Sequence, residues 1–63
     1  MYVLGESPST QNDGFDALEN VLGSQEFTMS EATEVLTEVL GITQSEAQSE
    51  FNSLLRSGAI VEV

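Results

Sequence analysis

Apolar residues recur at helical spacing in three separate stretches of the chain, and short apolar runs sit at its two ends. Ala32, Val35, Leu36, Val39 and Leu40 fall at i, i+3, i+4, i+7 and i+8, a full stripe along one helix face. This predicts a helix over about 30–40. Two signals compete for its start: Thr28 with Glu31 has the spacing of a capping box, and Ser30 is the alternative cap. Gly41 ends it. Ala47, Phe51, Leu54 and Leu55 repeat the period and predict a helix over about 44–57, opened by a Thr43–Glu46 capping box and closed by Gly58. Arg56 falls in its last turn, where a cation suits the helix dipole. Upstream, Phe15, Leu18, Val21 and Leu22 predict a shorter helix over about 13–22, with Asn12 or Asp13 as its cap and Gly23 as its stop.

The end runs read differently. Tyr2-Val3-Leu4 is rich in strand formers and halted by Gly5, and Ala59–Val63 is a second strand. Between the first strand and the first helix, residues 6–14 are polar, with Pro8 and Gly14 as breakers, and read as a loop. Phe27 and Met29 alternate with polar neighbours, so Glu26–Met29 is a minimal strand candidate. No strand returns beside Ala59–Val63 later in the sequence. Tyr2–Leu4 is the other strong strand, so the two are expected to pair. The predicted fold is mainly α with a small β-sheet, a single small domain over residues 1–63.

Composition narrows what such a fold can do. A chain of 63 residues supports one thin core. With no Cys and no His, neither a disulfide nor a structural zinc site can reinforce it. A homo-oligomer or a docked protein partner is therefore expected, and no cofactor. The charge is lopsided: eleven acidic residues against Arg56 alone, a net −10. Such a surface repels phosphates and acidic membranes and favours cationic partners. It also suits a salt-loving cell, since at about 1 M salt the Debye length falls to about 3 Å and self-repulsion is screened. Glu outnumbers Asp nine to two, which does not favour the halophile origin in particular. No apolar run approaches the ~20 residues that span a bilayer. The N-terminus has neither a basic start nor a long apolar segment, so no secretory signal is expected. The expected location is cytoplasmic, or inside a host cell if the protein is viral.

An enzyme is not expected. His, Cys and Lys, the common general bases and activated nucleophiles, are missing. Carboxylates acting alone need a cleft that so short a chain does not enclose. Asp13 and Asp16 lack the ligand count and spacing of a calcium loop and belong to a helix start, so no metal site is expected.

The order helix, short strand, helix, turn, helix, strand is that of a winged helix. Within it, Leu40–Val61, LGITQSEAQSEFNSLLRSGAIV, resembles the helix-turn-helix of ArsR/MarR-type transcriptional regulators. Leu40, Gly41, Ile42, Thr43, Gln44, Ser45, Leu55, Gly58, Ile60 and Val61 match that pattern of turn, cap, recognition-helix opening and closing strand. The resemblance covers about a third of the chain. It implies that Gln44, Ser45, Gln48, Ser49 and Asn52 face the major groove, with Arg56 at the end of the same helix. Ser45, Gln48, Ser49 and Asn52 fall at i, i+3, i+4 and i+7, one uncharged hydrogen-bonding stripe. Gln and Asn read adenine, and Ser reaches several base edges. The chain departs from the family at Glu46 and Glu50, beside that stripe, where family members commonly carry neutral or basic side chains. DNA binding draws most nonspecific affinity from Lys and Arg on phosphates, and only Arg56 is available.

Three functions follow as expectations. The first is an acidic winged-helix-like protein-interaction module, an adaptor, regulator or assembly subunit. The second is a DNA-binding transcriptional regulator working at high salt. The third is an acidic inhibitor that imitates DNA, with Glu31, Glu34, Glu38, Glu46 and Glu50 in place of phosphates. Those five glutamates are the candidate acidic docking face, and solvated helix faces account for their spacing equally well.

Overall fold

The computed structural model describes residues 1–8 and 12–63, so the loop expected over 6–14 lies partly outside the described residues. Among the described residues three helices form, and each start is set by a side-chain cap. Helix α1 spans Asp13–Leu22, and the Asn12 Oδ1 accepts the Phe15 N–H at 2.9 Å. Asn12 thus takes the cap, and Asp13 falls in the first turn, where a carboxylate suits the positive end of the dipole.

Helix α2 spans Met29–Leu40, one residue longer at its start than the spacing predicted. Thr28, not Ser30, is the cap: its Oγ1 accepts the Glu31 N–H at 3.1 Å, and its own N–H donates to Glu31 Oε1 at 3.0 Å. Helix α3 spans Gln44–Ser57 and repeats the device. Thr43 Oγ1 accepts the Glu46 N–H at 3.2 Å, and the Thr43 N–H donates to Glu46 Oε1 at 3.1 Å. Between them Gly41 adopts φ +67°, a left-handed turn that a side chain would strain. At the far end of α3 the Gly58 N–H returns to the Leu55 carbonyl and the Ala59 N–H to Leu54, the paired bonds of a Schellman stop.

Strands β1 (Tyr2–Leu4) and β2 (Ile60–Glu62) pair antiparallel, with Tyr2 opposite Glu62, Val3 opposite Val61 and Leu4 opposite Ile60. The strand is shorter than the expected Ala59–Val63, but both flanking residues still bond. The Val63 N–H donates to Met1 at 3.0 Å, and the Gly5 N–H donates to Ala59 at 2.7 Å. On the other edge of β1, Tyr2 and Phe27 exchange two backbone hydrogen bonds of 2.8 Å. Only Phe27 of the segment 26–29 pairs, because Thr28 is already committed to the α2 cap. β1 therefore runs between Phe27 and β2. The fold is winged-helix-like, with its sheet completed by the N-terminal strand.

The core lies between the three helices and the inner face of this sheet, built on Phe15, Leu18, Phe27, Leu36, Phe51, Leu54 and Ile60. The Tyr2 ring meets Phe51 edge-on, with centroids 5.1 Å apart, and so links β1 directly to α3. Two residues of the expected apolar stripes lie outside this core. Val21 is 56% exposed and Val39 54%. On α2 the buried line runs through Ala32, Thr33 and Leu36, rotated toward Thr33 because the N-terminus of α3 comes against that side. Thr33 is fully satisfied there: its hydroxyl donates to the Met29 and Ser30 carbonyls and accepts the Gln44 amide at 3.2 Å. Among the described residues no helix is long and apolar enough to cross a membrane.

Candidate functional site

Two capping boxes and one left-handed glycine set the starts of α2 and α3 and the turn between them, and the outer face of α3 carries the candidate contact residues. Ser45, Gln48, Ser49, Asn52 and Arg56 are all exposed. At i, i+3, i+4, i+7 and i+11 they share one side of the helix. The buried side opposite them is Ala47, Phe51 and Leu54. Among the described residues, no side-chain hydrogen bond uses any of the five. Their donors and acceptors are therefore available to a partner.

Gln44, the sixth candidate, differs. Its amide donates to Thr33 Oγ1 and ties the first turn of α3 to α2. Eleven residues separate the two, so no local pattern announces this contact. It commits one Gln44 amide N–H to bracing the helix that carries the others, while the residue itself stays exposed.

The five glutamates do not form one surface. Glu31, Glu34 and Glu38 rim a shallow groove of about 290 Å³ whose floor is Val21 and Leu22 of α1 and Val35 of α2. Glu46 and Glu50 lie instead beside a recess of about 590 Å³ at the start of α1, with Asn12, Asp13, Gly14, Leu40 and Ile42. Two of the five also have structural work. Glu31 and Glu46 each accept the N–H of their own N-cap threonine. That backbone bond from Thr43, helped by the Thr43 hydroxyl, holds the Glu46 carboxyl below the ordinary carboxylate range. Glu50 is half-buried against the first turn of α1. A Cβ at Gly14 would stand 2.8 Å from Glu50 Cγ, so the close approach of the two helices here needs glycine. The Glu50 carboxylate thereby sits near the positive end of the α1 dipole.

The described residues hold no group of three or more carboxylate, imidazole or thiol ligands that could bind a metal ion. Nor do they contain a buried side-chain polar atom without a partner. What this surface offers chemically is hydrogen bonding from an uncharged helix face, with a single guanidinium at one end and the Glu46 and Glu50 carboxylates along one flank. Comparison with family models, with curated proteins and with solved structures finds no match to this chain.

Proposed function

We propose that the chain is a small acidic protein-interaction module on a winged-helix-like scaffold, acting as an adaptor, regulator or assembly subunit in the cytoplasm of its own cell or of a host. Its contact face is Ser45, Gln48, Ser49, Asn52 and Arg56 on α3. The observation that carries this reading is an exposed helix face with free hydrogen-bonding groups on a chain of net charge −10 with one cation. A rigid helix that presents uncharged polar groups without phosphate-binding bases suits a protein surface better than a nucleic acid.

The electrostatics support the choice. Each phosphate contact contributes a salt slope of about −0.9, and a protein relying on Arg56 alone would make about one. Glu46 carries its charge beside the contact face, as an exposed carboxylate does at neutral pH. The winged-helix regulator remains the second reading, because Gln48, Ser49 and Asn52 are suited to base edges and molar salt would screen the repulsion. Against it, Gln44 is already bonded to Thr33. The DNA-mimic reading is weaker, since the glutamates split between two recesses rather than tracking one phosphate row.

The test compares the tagged wild-type chain with Gln48→Ala/Asn52→Ala in its native cells, by quantitative mass spectrometry of retained proteins. Binding to random duplex DNA is measured in parallel by fluorescence anisotropy at about 0.1 M and 1 M salt. The proposal expects a protein retained by the wild type and lost from the variant, with no DNA binding at the lower salt. DNA binding at molar salt that requires Gln48 and Asn52, with no protein lost from the variant, would overturn it.

A further inference from the structure

The groove between α1 and α2 is a second surface, remote in sequence from the α3 contact face. Its floor is apolar because two helical stripes are wider than the core they feed. Val21 is more than half exposed, and Leu22 and Val35 are only partly covered. Glu31, Glu34 and Glu38 stand on α2 around that floor. The Glu31 Oε1 is occupied by the Thr28 N–H, which leaves its second oxygen for a partner. An apolar strip with carboxylates along it needs a partner with apolar residues between cations.

We propose that this groove docks a cationic amphipathic helix of a partner protein, a deepening of the interaction-module reading that adds a site and a partner class to it. The spacing selects a helix. Glu31, Glu34 and Glu38 span seven residues of α2, about 10 Å at ~1.5 Å per residue. A neighbouring helix has the same rise, so Lys or Arg at intervals of three and four residues meets each carboxylate while its Leu-type residues enter the floor. The charges exclude other occupants. A second copy of this chain brings ten net negative charges and only Arg56 to meet three carboxylates. Nucleic acid and anionic lipid bring phosphates and are repelled.

The probe is a synthetic peptide of about fourteen residues, Leu at i, i+3, i+4 and i+7 of each helical repeat and Lys elsewhere, blocked at both ends. Two control peptides have the same composition in scrambled order and Glu in place of Lys. Each is titrated into the full ¹⁵N-labelled chain at about 0.1 M salt, and amide shifts are mapped. The proposal expects shifts centred on Val21, Leu22, Glu31, Glu34, Val35 and Glu38. It also expects Glu34→Gln/Glu38→Gln to weaken binding about fivefold and Val21→Ser about threefold. All three side chains are exposed and outside the caps, so these variants keep the fold.

The scrambled peptide should bind several-fold more weakly, and the Glu peptide not at all. Absence of binding would overturn the proposal. So would shifts spread over every acidic face or centred on α3, or equal binding by the scrambled peptide. Because the readout is site-resolved and uses a defined peptide, failure here leaves the α3 test untouched. Conversely, loss of the α3 reading leaves the groove titration standing.

Discussion

Tyr2 should be the residue on which the closure of the sheet depends. It exchanges two backbone hydrogen bonds with Phe27 on one edge of β1, stands opposite Glu62 on the other, and puts its ring edge-on against Phe51 of α3. The whole domain, at roughly 0.05–0.15 kcal/mol per residue, has about 3–9 kcal/mol of stability. Truncating a largely buried aromatic costs about 3 kcal/mol or more. Tyr2→Ala should therefore lower a urea midpoint by about 3 M, given an m-value of about 1 kcal/mol/M for so small a domain, and leave the variant barely folded. The finer test is a double-mutant cycle with Tyr2→Leu and Phe51→Leu, which keeps apolar bulk and removes the aromatic pair. The coupling expected is about 1 kcal/mol, or about 1 M in the urea midpoint, followed by far-UV circular dichroism. A wild-type midpoint for Tyr2→Ala would place β1 outside the cooperative unit, and additive single variants would show that the Tyr2–Phe51 contact carries no coupling; either result counts against the role assigned to Tyr2.

Three further outcomes follow from local geometry and charge. Gly41→Ala should cost about 1 kcal/mol and lower Tm by about 5 °C, because Gly41 sits at φ +67° and a Cβ there meets no atom within 4 Å, so the penalty is purely conformational. A calorimetric Tm equal to wild type would contradict it. Glu46 should contribute stability at neutral pH that disappears in acid. Its folded-state pKa is lowered, so the contribution is fully present above the ordinary carboxylate pKa and is lost as pH falls through the lowered value. The urea midpoints of wild type and Glu46→Gln should therefore differ at pH 7 and converge in acid once pH falls below the lowered Glu46 value, and a difference that persists there would contradict the cap bonds. Finally, raising salt from about 0.1 M to 1 M shortens the Debye length from about 10 Å to 3 Å and should raise Tm by several degrees, since the net charge is −10. A flat or falling melting curve series would mean that self-repulsion is not a significant term.

Local chemistry was legible in the sequence where cause and effect lie within four residues. The Thr28–Glu31 and Thr43–Glu46 boxes, the glycine stops and the helical periods all depend on neighbours along the chain, and the helices form where those signals stand. The pairing of β1 with β2 was legible by elimination, because residues 2–4 were the only other strong strand. Packing was less legible. Periodicity shows which face is apolar but not how wide a band the core will cover, so Val21 and Val39 read as core and lie at the surface. The Gln44–Thr33 bond and the seat of Glu50 over Gly14 join residues far apart in sequence, and no spacing rule contains them. The same limit applies to the acidic face. Spacing puts Glu31, Glu34 and Glu38 on one face of α2 and Glu46 and Glu50 on one face of α3, but which recess each set lines depends on how the helices pack.

The most direct test of the α3 contact face is site-specific photo-crosslinking in native cells. A photoreactive side chain replaces Gln48, exposed on α3, and in a separate protein replaces Val63, exposed beyond β2. A discrete crosslinked protein is expected from position 48 and absent from position 63. Crosslinks to nucleic acid from position 48, or the same protein from both positions, would contradict it.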